Sequence, residues 1–586
     1  MRYLKLSLFI FLLYAPFMGY RVLRTAGDDK VYVAQALEMA RDGHWFVQTL
    51  ADRPDYYKGP FHFLLLRLGM FLFGKTMWAT VYMNLALVLL GAWALCALVA
   101  RNMPDGAIVR QEKPRAWGAW AGAAFATGIG VYLHAYASQM EVELAAFYAF
   151  GIYCLSRSRE RRFELLFWLV AGLTGWIKSP LHSAFLGTTA ILYWLGTGEL
   201  WARLKSLRSW GYALIGILTC IAGYLPMYLL DGENWVKTYI LRETFNKGPS
   251  GEPWYSPVWP ILTFFLFPWM LPMFVAYLDG LGRAVSSVFG GGQAKLGRAG
   301  RSMLVLGVSL VAPSMAFFVW FSYRAQNYTL PAVAGMMLIL ATLWSSASRF
   351  WRILYQGSVA LTGVFFVAGA VVFAIFGSHF QKFPDGWPLW LIPALAVGGL
   401  ATGLLWIKKA IVNPDRPFYP QKVAYAVLPF YLAFGALYVV LGEREMLDLK
   451  RYIAEHRTCE GKPLAVGYYN LQRKLWSEWG YLNFMVSYPI EGLHTPEALE
   501  AAIRDGKLIL IQEPENAEAT RALAAAKFPD LVLEEMPWHR WRTQGRAPDG
   551  SMLWQAAWDQ ADLSLLQKNY YMLRYHRKDR PLGPGC

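Results

Sequence analysis

From Ala360 to Gly377 the chain reads ALTGVFFVAGAVVFAIFG, with no ionisable group anywhere in the run. About 20 such residues, wound as a helix, cross the ~30 Å hydrocarbon layer of a bilayer. In that solvent only a helix or a closed barrel satisfies its own backbone. Comparable blocks recur, among them LSLFIFLLYAPFMGY and MWATVYMNLALVLLGAWALCALVA. Composition agrees: of 586 residues 56% are hydrophobic and 16% charged, against roughly a quarter charged in soluble domains. The sequence therefore predicts a polytopic α-helical membrane protein. Its first block has the basic start of a signal peptide, MRYLK, but no A-x-A-like cleavage site follows, so it reads as a retained anchor.

A net charge of +16 would suggest nucleic acid for a soluble protein. Here the lysines and arginines sit in short loops, and the positive-inside rule places such loops in the cytoplasm. RNMPDGAIVRQEKPR, RSRERRF, ELWARLKSLR, GRAVSSVFGGGQAKLGRAGR, SRFWR and KKAIVNPDRPFYPQK fall on alternate connections. That alternation requires about thirteen spans and puts the C-terminus outside. The first outer loop, 23–76, holds two short helical patterns, VYVAQALEMARDGHW and FHFLLLRLGMFLFG, which suit helices lying in the interface. Residues 1–442 form the membrane part on this reading. In 443–586 the pattern changes. KPLAVGYYNL, KLILIQE and LVLEEM read as strands, TPEALEAAIRDG and AEATRALAAAK as helices, which predicts a soluble α/β domain. Cys96, Cys154 and Cys220 lie in apolar blocks and read as core; Cys459 and Cys586, in the C-terminal part, are either bridged or two separate thiols. No Cys or His cluster with metal-ligand spacing occurs.

Ionisable groups gather on the outer side. Asp28 and Asp29 follow the first span, Tyr56, Tyr57 and Lys58 precede the second helical pattern, and Glu141 and Glu143 open a span. Lys178 stands at another span end, Arg242, Glu243 and Lys247 share a loop, and Arg324, Asn327 and Tyr328 start a late span. Taken singly, each has an ordinary role. Lys58, Lys178 and Arg324 suit snorkelling side chains, and Asp29, Glu141 and Glu143 suit helix N-termini. Taken together, acids and bases on one face suggest a wet cavity at the outer leaflet. Transfer of a sugar from a lipid phosphate has a use for that mixture: cations hold the departing phosphate, and a carboxylate receives the acceptor proton.

The order of DDKVYVAQALEMARDGHW, PDYYKGP, SQMEVELAAFY, IKSP and NYTLP resembles the dolichyl-phosphate-mannose–protein mannosyltransferase-like family, whose bacterial members include the lipid A aminoarabinose transferases. The resemblance runs over roughly the first 350 residues. It implies a GT-C fold and an inverting glycosyltransferase. The donor would be a polyprenyl-phosphate sugar, the acceptor a lipid, glycan or protein, and the site would face the periplasm from a bacterial inner membrane. On matching positions, Asp28 and Glu141 correspond to acids of the family's site, and Lys58 and Tyr328 to groups on the donor phosphate. Lys178 holds the family's basic position, with Arg324 beside the late motif. Asp29, Tyr57, Glu143 and Arg242 are further candidates. Tyr57 and Thr244 stand where some members have the Glu and His linked to a bound metal, Gly59 stands for a Pro, and Val31 for an Arg. The resemblance thus implies no metal and no other cofactor, with dependence on a divalent ion left open. Two alternatives stay open as well: oligosaccharide transfer to protein, and a lipid-linked-sugar flippase. A flippase is expected to show internal repeats and broken midplane helices, and no clear repeat is found.

Overall fold

Helices follow the apolar blocks. The computed structural model describes residues 2–19, 29–50, 53–56, 58–102, 114–245, 253–256, 258–288, 296–321, 326–383, 388–411, 420–444, 447–456, 464–470, 479–480, 482–483, 489–541 and 551–578. In chain order the first helices are α1 (Arg2–Tyr14), α2 (Asp29–Arg41), α3 (Phe61–Phe73), α4 (Met77–Arg101), α5 (Pro114–Thr127), α6 (Ile129–Ala135) and α7 (Glu141–Ser156). Then come α8 (Arg161–Ile177), α9 (Pro180–Thr197), α10 (Leu200–Leu204), α11 (Leu207–Trp235), α12 (Val258–Leu262), α13 (Met270–Val288) and α14 (Arg298–Trp320). The remainder of the bundle is α15 (Val333–Ser345), α16 (Arg349–His379), α17 (Leu391–Ala410), α18 (Pro420–Tyr425), α19 (Leu428–Arg444) and α20 (Leu447–Glu455). Among the described residues, 6 helical stretches are long and apolar enough to cross a membrane: Met77–Arg101, Leu207–Glu243, Arg298–Trp320, Asn327–Ser345, Arg349–His379 and Leu391–Ala410.

Lipid gives packed helices no hydrophobic gain on meeting, so close backbone approach through small residues has to hold them together. Gly363 on α16 and Gly403 on α17 face each other this way; a Cβ on Gly363 would lie 2.8 Å from the Gly403 carbonyl. Gly122 on α5 meets the Ala92 carbonyl of α4 in the same manner, at 2.5 Å from its would-be Cβ. Where α5 breaks into α6 at Gly128, the freed groups find partners elsewhere. Tyr431 donates to the Thr127 carbonyl at 2.6 Å, Tyr14 donates to Ala126 O, and Ile129 N donates to Phe267 O at 2.7 Å. Trp117, Trp120, Trp269 and Trp406 are fully buried beside this break.

The C-terminal part forms a five-stranded sheet: β3 (Val466–Tyr469), β4 (Ile490–Leu493), β5 (Leu508–Ile511), β6 (Leu531–Trp541) and β7 (Gln567–Arg577), in the order β4-β3-β5-β7-β6. Two further strands, β1 (Thr49–Leu50) and β2 (Arg53–Pro54), pair in the first outer loop and precede these in the chain, so the sheet strands keep the numbers three to seven. β3 runs parallel to β4 and β5, while β7 is antiparallel to β5 and β6. Helices Pro496–Arg504 and Pro514–Lys527 pack on it, the first capped by Thr495, whose hydroxyl accepts from Ala498 N at 3.2 Å. Three strands and both helices lie where the sequence predicts them. Strands β4 and β7 were missed: β4 is only four residues with no alternation, and NYYMLRYHR is rich in charge and aromatics. Cys459 and Cys586 lie outside the described residues.

One expectation changes. α2, read as an interfacial helix, is covered on two sides. Tyr32, Ala36 and Met39 join the membrane core, while Val33 and Leu37 pack with Val466, Tyr468, Leu508 and Leu510 of the sheet. Gly480 sits against Ala34 so closely that a Cβ would lie 2.5 Å from its Cα. A helix with two apolar stripes needs two apolar partners, and a bilayer surface supplies one. α3 leaves Leu68, Phe71, Leu72 and Phe73 exposed.

The glycine seams give a direct test. Gly363→Leu should force α16 and α17 apart and lower stability by about 1–3 kcal/mol, the usual cost of overpacking, read as a fall in the unfolding midpoint of the detergent-solubilised protein.

Candidate functional site

Four elements bring polar groups to one end of the bundle. α8 stops at Ile177 because Pro180, the first residue of α9, forces the residue before it into an extended conformation. Ser179 has φ −162 and ψ 159. This reversal leaves Lys178 between two helices, and its carbonyl accepts from the Tyr239 hydroxyl at 2.9 Å. Glu141 and Glu143 occupy the first turn of α7, where the helix dipole favours carboxylates. Asn327 and Tyr328 lie in a 3-10 segment, Gln326–Ala332, just before α15.

These positions converge. Lys178 Nζ lies 2.7 Å from Glu141 Oε1, with side chains only 9% and 5% exposed. Asn327 Nδ2 donates to the same oxygen. The lysine also sits over the Tyr328 ring, 4.0 Å from its centroid, a cation–π contact. Removing two charges from water costs more than most surface pairs return, so such a pair survives only with excellent geometry and added hydrogen bonds. Asn327 supplies a hydrogen bond, and the Tyr328 ring adds its cation–π contact.

Beside this pair opens a cavity of about 520 Å³, mouth included. Lys58, Lys178, His182, Tyr239, Glu243 and Tyr328 form its polar lining, and Phe185, Phe317, Phe318 and Phe321 its apolar wall. Lys58 is 5% exposed. Two features hold its loop in place. Gly59 lies against the end of α8, where a Cβ would stand 2.1 Å from the Trp176 carbonyl, so only glycine fits. Tyr56 is buried among Tyr224, Met227 and Tyr239, and its hydroxyl donates to Asp231 Oδ2 at 3.4 Å. Burial first, and the Asp231 charge second, push the Tyr56 phenol up to about 12, so it stays a donor at neutral pH.

A second buried cluster adjoins. Asp29, at the start of α2, accepts from Gln139 Nε2 at 2.9 Å. His62 Nδ1 lies 2.5 Å from Glu143 Oε1, and Ser138 Oγ is 3.4 Å from its Nε2. Of the sequence candidates, Lys58, Lys178 and Tyr328 thus line one cavity and Glu141 binds the central lysine. Asp29 and Glu143 are buried in the neighbouring cluster. Arg242 is exposed and does not line the cavity. Asp28, Tyr57 and Arg324 lie outside the described residues. Sequence reasoning put Asn327 and Glu243 among the outer polar groups without giving them a place in the site. It passed over His182, which lies in the first turn of α9, four residues past Lys178. Among the described residues no group of His, Cys, Asp and Glu is arranged to hold a metal.

No family model matches the chain, and no curated protein matches it in sequence. Solved structures do match in fold. ArnT from Cupriavidus metallidurans bound to undecaprenyl phosphate superposes with a TM-score of 0.62 at 14% identity, covering 98% of this chain and 97% of that one. The same protein in the apo state gives 0.60 over the same shares of both chains. Arabinosyltransferase EmbB from Mycobacterium smegmatis, at 0.42 over 75% of this chain and 40% of that one, is too distant to argue from. The chain therefore shares the fold of that ArnT structure over nearly its whole length.

A double-mutant cycle measures the central ion pair. Glu141→Gln or Lys178→Met alone should cost about 3–5 kcal/mol by stranding a buried charge, while the double variant should recover a large part of that loss. Unfolding midpoints of the four proteins in one detergent decide it.

Proposed function

We propose that this protein is a GT-C glycosyltransferase that moves a sugar from a polyprenyl-phosphate donor to a lipid, glycan or protein acceptor at the outer leaflet. One observation carries the reading: two buried lysines, Lys58 and Lys178, open onto a single cavity whose other wall is phenylalanine. Buried cations beside an apolar wall suit a ligand with a phosphate head and a prenyl tail. The full-length likeness in fold to a protein crystallised with undecaprenyl phosphate adds support.

In this reading the acceptor hydroxyl attacks the anomeric carbon as the bond from that carbon to the phosphate oxygen breaks. The electron pair leaves with the polyprenyl phosphate, and the configuration inverts. Lys58, Lys178 and Tyr328, with Arg324, meet the charge that grows on the phosphate. Asp28 takes the acceptor proton. Glu141 holds Lys178 in place and charged. The Asp29–Gln139 contact braces the start of α2 next to Asp28, and His62 with Glu143 ties α3 to α7.

The same proposal reads α1, α4, α5 with α6, α7, α8, α9, α11, α13, α14, α15, α16, α17 and α19 as the thirteen crossings, which leaves the sheet outside. It divides the chain into a membrane part, 1–442, and an α/β part, 443–586. In a bacterium the protein would span the inner membrane with cavity and sheet on the periplasmic side.

Purified protein incubated with labelled polyprenyl-phosphate sugar and envelope lipids tests the reaction. Asp28→Asn should lower kcat at least 100-fold at an unchanged unfolding midpoint. Lys58→Met should raise the donor KM about tenfold or more, the value of a lost charged contact. An active, folded Asp28→Asn protein would remove the acid from its role. Movement of intact lipid-linked sugar across vesicles without transfer would favour a flippase.

A further inference from the structure

His182 is 5% exposed and lines the same cavity as Lys58 and Lys178. Its Nδ1 lies 2.9 Å from the Tyr148 hydroxyl. Tyr148, on α7, is itself 1% exposed, and among the described residues its hydroxyl meets no second polar partner. A buried phenol with no acceptor is costly, because its lost water is not replaced. Its proton therefore goes to Nδ1. A neutral imidazole that accepts at Nδ1 carries its own proton on Nε2. The alternative, an imidazolium, would set three cations, with Lys58 and Lys178, against one lining carboxylate, Glu243, since Glu141 is already engaged by Lys178 and Asn327. Tyr148 occupies the Nδ1 edge of the ring, which leaves the Nε2–H edge for the cavity, and no described residue accepts from it.

We propose that His182 binds the donor: its Nε2–H donates a hydrogen bond to a phosphate oxygen of a polyprenyl-phosphate ligand. Tyr148 acts through it as a positioning residue that fixes the tautomer. This rests on the reading of the cavity as a phosphate site. A phosphate oxygen fits better than a sugar hydroxyl for two reasons. Lys58 and Lys178 line the same space, and the residues next to His182, Leu181 and Phe185, are apolar and suit a prenyl chain. A neutral N–H facing an anion makes one of the stronger classes of hydrogen bond and adds no further charge to be buried.

The test measures binding of undecaprenyl phosphate to the full-length protein in detergent, with the ligand-free unfolding midpoint as the control for folding. His182→Leu should weaken binding about 10- to 100-fold, the usual worth of a hydrogen bond to a charged group. His182→Gln, which keeps an N–H donor, should stay within about threefold of wild type. Tyr148→Phe should weaken binding on its own yet add nothing on top of His182→Leu, an outcome that loosened packing would not give. If the leucine variant fails to fold, His182→Phe replaces it as a ring without a donor. Folded wild-type protein that does not bind undecaprenyl phosphate overturns the phosphate reading and this inference with it. Wild-type binding with equal affinity in the leucine or phenylalanine variant overturns the role of His182 alone.

Discussion

The ion pair between Lys178 and Glu141 ties the polar end of the bundle together. The lysine comes from the turn between α8 and α9 and the glutamate from the first turn of α7, and Asn327 reaches the same oxygen from the segment before α15. In a medium that solvates charge poorly, neither partner tolerates separation. Each of these helix ends is therefore held against the others, and the cavity beside them keeps its shape. The cation over the Tyr328 ring is a consequence of the same convergence.

Around that pair the protein spends tyrosine hydroxyls where helices break. Tyr14 and Tyr431 cover the gap between α5 and α6, Tyr239 covers the carbonyl of Lys178, and Tyr224 bonds both Tyr239 and Gly175 O. Each break exposes carbonyls that lipid leaves unpaired, and a phenol brings a donor on an apolar body. Irregular backbone at these points is what lets Lys178, Tyr328 and the Lys58 loop face inward together.

The sheet enters this scheme through α2. Covered by the membrane core on one side and the sheet on the other, that helix has little freedom to shift. Its first residue, Asp29, is fixed by Gln139. The C-terminal part thus packs against the helix that begins at Asp29.

The sequence alone determined the helices, because a continuous apolar run of span length has one solution in lipid. It also led to the expectation that the polar groups share one side, because basic loops orient the spans. Lys58, Lys178 and Tyr328 were legible as candidates for that reason. Only the tertiary structure decided which of them meet. Arg242 was a further candidate in the chain, yet it is exposed while Lys178 is buried, since exposure depends on how the chain continues past α11 and not on residue type. His182, Asn327's bond to Glu141 and the second buried face of α2 were hidden for one reason. Each depends on residues more than 30 positions away, and no local period records a contact across that distance.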